Sequence, residues 1–244
     1  MELENKTALV TGGAHRVGGQ ITHALAAEGA NVIIHYHKSE SAAIATAESA
    51  RELGVKAHTF GADLSQLEEI ERLFLEIKAN MGGIDILVNS AAIMERQAYE
   101  DVTQQDWERT INLNLRAPFF CIQKAAELMK ARHGGVIVNI SDIAGRQPWP
   151  RFPVHSISKS GVEMLTAIAA LTYAPEIRVN AIAPGPVLKP PAMSDERWQA
   201  LGAELPLQRT GSAEDVARAV LFLIRNDYIT GETIAVDGGN QWVS

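Results

Sequence analysis

Short, unbroken apolar runs punctuate the chain at Ala8-Leu9-Val10, Val32-Ile33-Ile34, Ile84 to Val88, Val136 to Ile140, Ile177 to Ile182 and Thr233 to Val236, with a weaker run from Lys56 to Phe60. Runs this short and without alternation predict strands buried on both faces, as in a parallel sheet covered by helices. Between them apolar positions recur at helical spacing, as at Leu67, Ile70, Leu73, Phe74 and Ile77, or Val216, Ala219, Val220 and Leu223. Strand and helix alternate from end to end. Right-handed βαβ crossovers then build an α/β, Rossmann-type, doubly wound parallel sheet of about seven strands with helices on both faces. No repeat, low-complexity tract or linker interrupts the series, so residues 1–244 read as a single domain. The one irregular stretch, Pro184 to Glu196 with Pro184, Pro186, Pro190 and Pro191, is long enough to serve as a lid.

Composition narrows the function without naming it. With 46% hydrophobic and 21% charged residues, the chain is neither disordered nor collagen-like nor a disulfide scaffold. Lys+Arg 22 against Asp+Glu 29 gives −7 with no block of like charge, which argues against nucleic acid or a polybasic membrane patch and for a small-molecule partner. Cys121 is the single cysteine, so no internal disulfide forms and a reducing, cytoplasmic location is expected. Met1-Glu2-Leu3-Glu4 places acids where a signal peptide needs a basic start, and every apolar run stops short of the ~20 residues that span a bilayer. No metal site is expected.

Thr11-Gly12-Gly13-Ala14-His15-Arg16-Val17-Gly18 joins the first strand to the first helix, where glycines let the backbone approach a pyrophosphate at the positive helix end. Its spacing, Thr-Gly-x-x-x-Arg-x-Gly, resembles the Thr-Gly-x-x-x-Gly-x-Gly of the short-chain dehydrogenase/reductase family. Arg16 in place of a glycine is similar to the pteridine reductases within it. Asp63-Leu64, Asn89-Ser90-Ala91-Ala92, Pro184-Gly185-Pro186-Val187 and Asp237-Gly238-Gly239 continue the resemblance along nearly the whole chain. The resemblance implies coenzyme contacts at Gly12, Arg16, Val17 and Gly18, adenine contacts at Asp63 and Leu64, and further contacts at Asn89, Ala91, Pro184, Gly185 and Val187. It also implies a homotetramer that pairs long helices at roughly 105–132 and 155–173, with Cys121, Met129, Met164, Leu165 and Ile168 on or near one interface or, equally, within the intramolecular core.

An acidic side chain ~20 residues beyond the glycines would bind the ribose hydroxyls of NAD. None is present there. His37, Lys38 and Ser39 instead offer an imidazole, a cation and a hydroxyl, donors suited to the 2′-phosphate of NADP(H), and Arg16 could close over the same group. The plainer alternative makes Ser39 a helix cap and Lys38 a solvated charge.

Family members carry a Ser, a Tyr thirteen residues on, a Lys four after that and an earlier Asn; the matching positions here are Asp142, His155, Lys159 and Asn114. His155 and Lys159, at i and i+4, share a helix face. Asp142 is similar to the pteridine reductases, whereas His155 replaces the family's proton-donating tyrosine, and none of Tyr36, Tyr99, Tyr173 or Tyr228 falls there. Imidazole is a competent general acid near neutrality, but it reaches about 2 Å less far than a phenol, and ~1 Å of misplacement can cost ~100-fold. Lys159 and an oxidised nicotinamide would lower its pKa and Asp142 would raise it. Pro118, four residues after Asn114 and without an N–H, frees the Asn114 carbonyl or simply kinks the helix. In the family that carbonyl holds a relay water. Met94 stands where pteridine reductases stack an aromatic on the pterin; Trp149 and Phe152 offer a flat wall, or pack the next helix, and Arg146 or Arg151 an anion contact. The resemblance therefore implies an NADPH-dependent reductase of a carbonyl or C=N substrate. A catalytically impaired NADP(H)-binding sensor or structural partner, and a pterin reductase, are the alternatives.

Overall fold

The apolar runs form one seven-stranded sheet in a computed structural model that describes residues 1–242. The strands are β1 (Thr7–Thr11), β2 (Asn31–Tyr36), β3 (Ala57–Gly61), β4 (Ile86–Asn89), β5 (Gly135–Ile140), β6 (Ile177–Pro184) and β7 (Thr233–Val236). They lie in the order β3-β2-β1-β4-β5-β6-β7, every pair parallel. The helices are α1 (Arg16–Ala27), α2 (Glu40–Glu52), α3 (Leu67–Met81), α4 (Gln104–Ile111), α5 (Ala117–Lys130), α6 (Pro153–Tyr173), α7 (Asp195–Glu204) and α8 (Ala213–Arg225). The domain end expected at residue 244 lies outside the described residues.

The unbroken hydrophobicity of the strands has a direct structural cause. Val10, Ile34, Val88, Val138 and Ile182 face a layer built by α1, α2 and α8, here the outer layer, while Leu9, Ile33, Leu87, Ile137 and Val179 face the opposite, inner layer of α3, α5 and α6. Successive side chains point to opposite faces, so two apolar faces favour apolar residues at successive positions rather than alternate ones. The chain builds outward from β1 to β3 and then returns to place β4 against the other side of β1. That reversal opens a crevice beyond the carboxyl ends of β1 and β4, where ligands bind in open α/β sheets.

Some boundaries differ from expectation. Ile84 and Asp85 precede β4 because the Asp85 carboxylate accepts from the Thr7 N–H at 2.8 Å and from Arg132 at 3.2 and 3.1 Å, anchoring the strand's entrance. Pro184 still belongs to β6 and Asp195 opens α7 under a Ser194 cap, so the irregular stretch contracts to 185–194.

The proposed interface residues divide. Cys121 (0% exposed), Met129 (0%) and Leu165 (8%) lie in the inner layer, because their sides of α5 and α6 face the sheet. They are core residues, the second of the two readings open for them. Met164 (63%) and Ile168 (54%) are exposed, together with Leu171 on α6 and Phe119 on α5. Among the described residues no helix is long and apolar enough to cross a membrane, and no cluster of His, Cys, Asp and Glu could hold a metal ion.

Candidate active site

Gly12 opens the turn after β1 with φ +63°, a left-handed conformation that glycine adopts without penalty. A Cβ there would stand 3.0 Å from the Ala91 Cα, and one at Gly18 would stand 2.2 Å from the Gly12 carbonyl oxygen. These glycines are therefore required by the tightness of the turn itself. Thr22 closes it from α1, its hydroxyl lying 3.1 Å from the Gly13 oxygen and 2.9 Å from the Gly18 oxygen. Arg16 has φ +56°, the left-handed region, at the position where the sequence motif otherwise favours glycine. Val17 packs its side chain against the outer layer.

At the end of β2, His37 and Lys38 are exposed, and Ser39 occupies the N-cap position of α2 without making a side-chain capping bond. Its hydroxyl is left for another partner, which weakens the cap-only alternative. His37 Nε2 lies 3.9 Å from Asp63 Oδ2. Partial burial pushes the Asp63 carboxyl up, but bonds from the Ser65 hydroxyl (2.7 Å) and amide (3.0 Å), with His37 and Lys38 nearby, hold it below the usual range. The Leu64 side chain is buried in the inner layer, so only its backbone is left for a ligand.

Thr11 ties the β1 end to the β4 end, its hydroxyl accepting from the Ser90 and Ala91 amides at 3.0 and 3.1 Å. The Asn89 side chain donates to Asn139 Oδ1 (2.9 Å), and Asn139 to Thr166 Oγ1 (2.9 Å), a buried polar chain that engages the Asn89 amide within the protein. Gly185, just past Pro184, packs against Asp237: a Cβ would meet the Asp237 Cβ at 2.7 Å. Val187 is buried in the outer layer, and the Pro186 carbonyl accepts from Gly211 at 3.0 Å.

The chemical end converges on α6. His155 and Lys159 are both buried on its inner face, as their spacing requires. Lys159 Nζ donates to the Ile140 carbonyl at 2.7 Å; burial lowers its pKa to about 8 despite the opposing charge of Asp142. His155 Nδ1 lies 3.2 Å from the Ile93 carbonyl, while Nε2 is buried without a hydrogen-bond partner, 3.5 Å from Asp142 Oδ2. That separation is within ion-pair reach but is not a hydrogen bond. Asp142 is held by the Ala144 amide on Oδ1 at 2.8 Å.

Asn114 sits in a π-helical turn, Asn112–Arg116, where the Ala117 N–H bonds the Asn112 carbonyl five residues back. Pro118, whose ring has no N–H to continue the α pattern, thus follows a wider turn in place of the simple kink of the alternative reading. The Asn114 side chain clamps Ile93 from both sides, Nδ2 donating to its carbonyl (2.8 Å) and Oδ1 accepting its N–H (2.9 Å). A further bond joins Nδ2 to Ser158 Oγ at 3.2 Å.

Several expectations about the substrate side change. Arg146 is engaged by Glu163 at 2.9 Å and by the Thr233 carbonyl at 2.9 Å, which removes it as a ready anion contact. Arg151 and Met94 are exposed, and Trp149 meets Phe152 edge-on with centroids 6.0 Å apart. Two contributors were not singled out from the sequence. Ile93 acts through its backbone, which leaves no residue signature. His35 extends the buried apolar run of β2, and a polar residue in that place was the available signal.

The family described as enoyl-(acyl carrier protein) reductase matches residues 12–241. The chain belongs to the short-chain dehydrogenase/reductase family. It is 35% identical over 240 residues to the 3-oxoacyl-(acyl-carrier-protein) reductase FabG of Staphylococcus epidermidis, covering 96% of this chain and 98% of that protein. The structure of FolM alternative dihydrofolate reductase 1 from Brucella suis, in complex with NADP, superposes with a TM-score of 0.93 at 32% identity, covering 100% of this chain and 98% of that one. The angucycline C-6 ketoreductase LanV with bound NADP gives 0.91 at 32% identity, covering 99% and 97%. The seven-stranded parallel sheet and its crevice are therefore those of an oxidoreductase of this family.

Proposed function

We propose that the chain is a cytoplasmic, NADPH-dependent reductase of a small carbonyl or C=N substrate, in which His155 takes the proton-donating place that tyrosine holds in the family. The carrying observation is the His155 Nε2 atom, buried, without a hydrogen-bond partner and 3.5 Å from the Asp142 carboxylate. A buried polar atom left unpaired carries a free-energy cost, and such atoms concentrate where chemistry needs them.

The coenzyme fits the residues present. The Gly12–Gly18 turn at the N-terminus of α1 suits a pyrophosphate, and His37, Lys38 and Ser39 suit a 2′-phosphate, with no competing acid on that segment. In this reading Lys159 would hold the nicotinamide ribose, as in the family it resembles. When bound, the coenzyme supplies a hydride.

The tautomer of His155 follows from its partners. The Ile93 carbonyl can only accept, so Nδ1 carries a proton and the neutral ring presents a lone pair at Nε2. Asn114 fixes that carbonyl, and through it the ring. The donor is accordingly the imidazolium, whose second proton sits on Nε2 and whose charge faces Asp142. As the substrate carbon gains hydride, its oxygen or nitrogen takes the Nε2 proton, and His155 returns to the neutral Nδ1–H form.

The likeness to FolM and Asp142 favour a second reading within the same chemistry, reduction of a dihydropterin C=N bond. We also propose a homotetramer, with the exposed Phe119, Met164, Ile168 and Leu171 in one interface.

The test follows NADPH absorbance with a panel of quinones, diketones and dihydropterins. Wild type should turn over at least one, and His155→Phe should lose that turnover while still binding NADPH. Full activity in His155→Phe would remove histidine as donor. An inert wild type beside an active His155→Tyr would mark the chain as an NADP(H)-binding sensor or structural partner.

A further inference from the structure

The second buried histidine lies at the opposite end of the crevice. His35 is the penultimate residue of β2 and is 2% exposed. Its Nδ1 accepts the Gly12 N–H at 3.1 Å, and its Nε2 donates to the Ala62 carbonyl at 3.0 Å. The accepted bond leaves Nδ1 without a proton and so places the ring proton on Nε2, where Ala62 requires it. The backbone repeats the link: the Gly13 N–H bonds the His35 carbonyl at 3.1 Å, and the Ala62 N–H bonds the Tyr36 carbonyl at 3.0 Å.

One imidazole thus spans two loops that, among the described residues, no other side chain joins through paired hydrogen bonds: the glycine turn after β1 and the loop after β3 that carries Asp63. We propose that His35 is a positioning residue for the coenzyme, pinning the pyrophosphate turn at Gly12 to the adenine-side loop at Ala62 so that both halves of the nucleotide site are set before the coenzyme arrives. The inference rests on the nicotinamide-coenzyme reading above. Preformed sites bind more tightly because ordering is not charged to the ligand.

The charge environment supports a neutral ring. Burial drives the His35 pKa down to about 4, against a raising bond to Ala62; His37 on its own strand's end lowers it and Asp63 across the crevice raises it. Thr11, Gly12 and Gly13 bring no ionisable group. The pin therefore persists at neutral pH.

Fluorescence titration with NADPH and NADH tests this on wild type, His35→Phe and His35→Asn. His35→Phe keeps the shape but leaves the Gly12 N–H and the Ala62 carbonyl unpaired, so both coenzymes should weaken by the same factor, roughly tenfold or more. His35→Asn, whose Oδ1 stands where Nδ1 stands, should recover much of the loss, and kcat at saturating coenzyme should move little. Affinities within twofold of wild type, a loss confined to NADPH, or an asparagine variant as weak as phenylalanine would overturn the proposal. Hydrogen exchange at the Gly12 amide in the coenzyme-free protein separates the two levels. Lost protection in His35→Phe that His35→Asn largely restores supports the pin even if wild type binds no coenzyme, which would sink the coenzyme reading alone. Unchanged protection in His35→Phe overturns the pin.

Discussion

His35 and His155 are both buried to 5% exposure or less, and each bonds a backbone carbonyl, yet they are opposite cases. At the phosphate end both ring nitrogens of His35 have backbone partners, and one accepts while the other donates. At the chemical end one nitrogen of His155 is bonded to Ile93 and the other faces a carboxylate with no bond at all. A satisfied buried ring fixes geometry, whereas an unsatisfied one retains a proton site for a reaction partner. The difference teaches how to divide two residues of one type on one chain: by which atoms are already engaged.

Phenylalanine at each position breaks the comparison if the division is wrong. His155→Phe should lower turnover by about 100-fold to 10,000-fold, the range of a lost general acid, with a melting temperature within about 2 °C of wild type. His35→Phe should do the reverse, lowering stability by about 2 kcal/mol, or roughly 6 °C in a chain of this size. Equal melting losses in the two variants would collapse the distinction.

Acid sharpens it further. An unfolded histidine titrates near 6.5 and folded His35 at about 4, so between those values the unfolded chain binds more protons. Stability from this group is complete above pH 6.5 and is lost as pH falls toward 4, by about 3 kcal/mol in all. Urea unfolding of wild type and His35→Asn between pH 7 and 4.5 should show a steeper slope in wild type; parallel slopes would refute the assignment.

The smallest effect concerns the exposed edge of the phosphate end. Lys38→Ala should weaken NADPH by about tenfold, as expected for one charge-assisted bond, and leave NADH unchanged. An equal loss for both coenzymes would move Lys38 from 2′-phosphate recognition to loop structure.

Much of this was legible in the sequence, for identifiable reasons. The strands were readable because burial on two faces favours apolar residues at successive positions, as at Val32-Ile33-Ile34 within β2. His155 and Lys159 shared a face because helical spacing is local. What escaped depends on distant partners. Leu165 and Met164 are adjacent in sequence, and only the position of the sheet decides which is core. Arg146 carried a visible charge, but its neutralisation by Glu163 needs α6 in place. Pro118 announced a broken α pattern without specifying the π turn that replaces it. The Ile93 carbonyl, which orients His155, is present in any residue and leaves no mark in the sequence.

The central claim is that the Nε2 proton of His155 is the one transferred. The pH dependence of kcat/KM for reduction, measured on wild type and on His155→Tyr, tests it most directly. A phenol is intrinsically a weaker acid than an imidazolium, so the two proteins should hold the transferred proton to different pH and differ in where the rate falls. The high-pH limb in His155→Tyr should lie above that of wild type. Superimposable profiles for the two proteins would contradict the account, because the transferred proton would then come from a group other than residue 155.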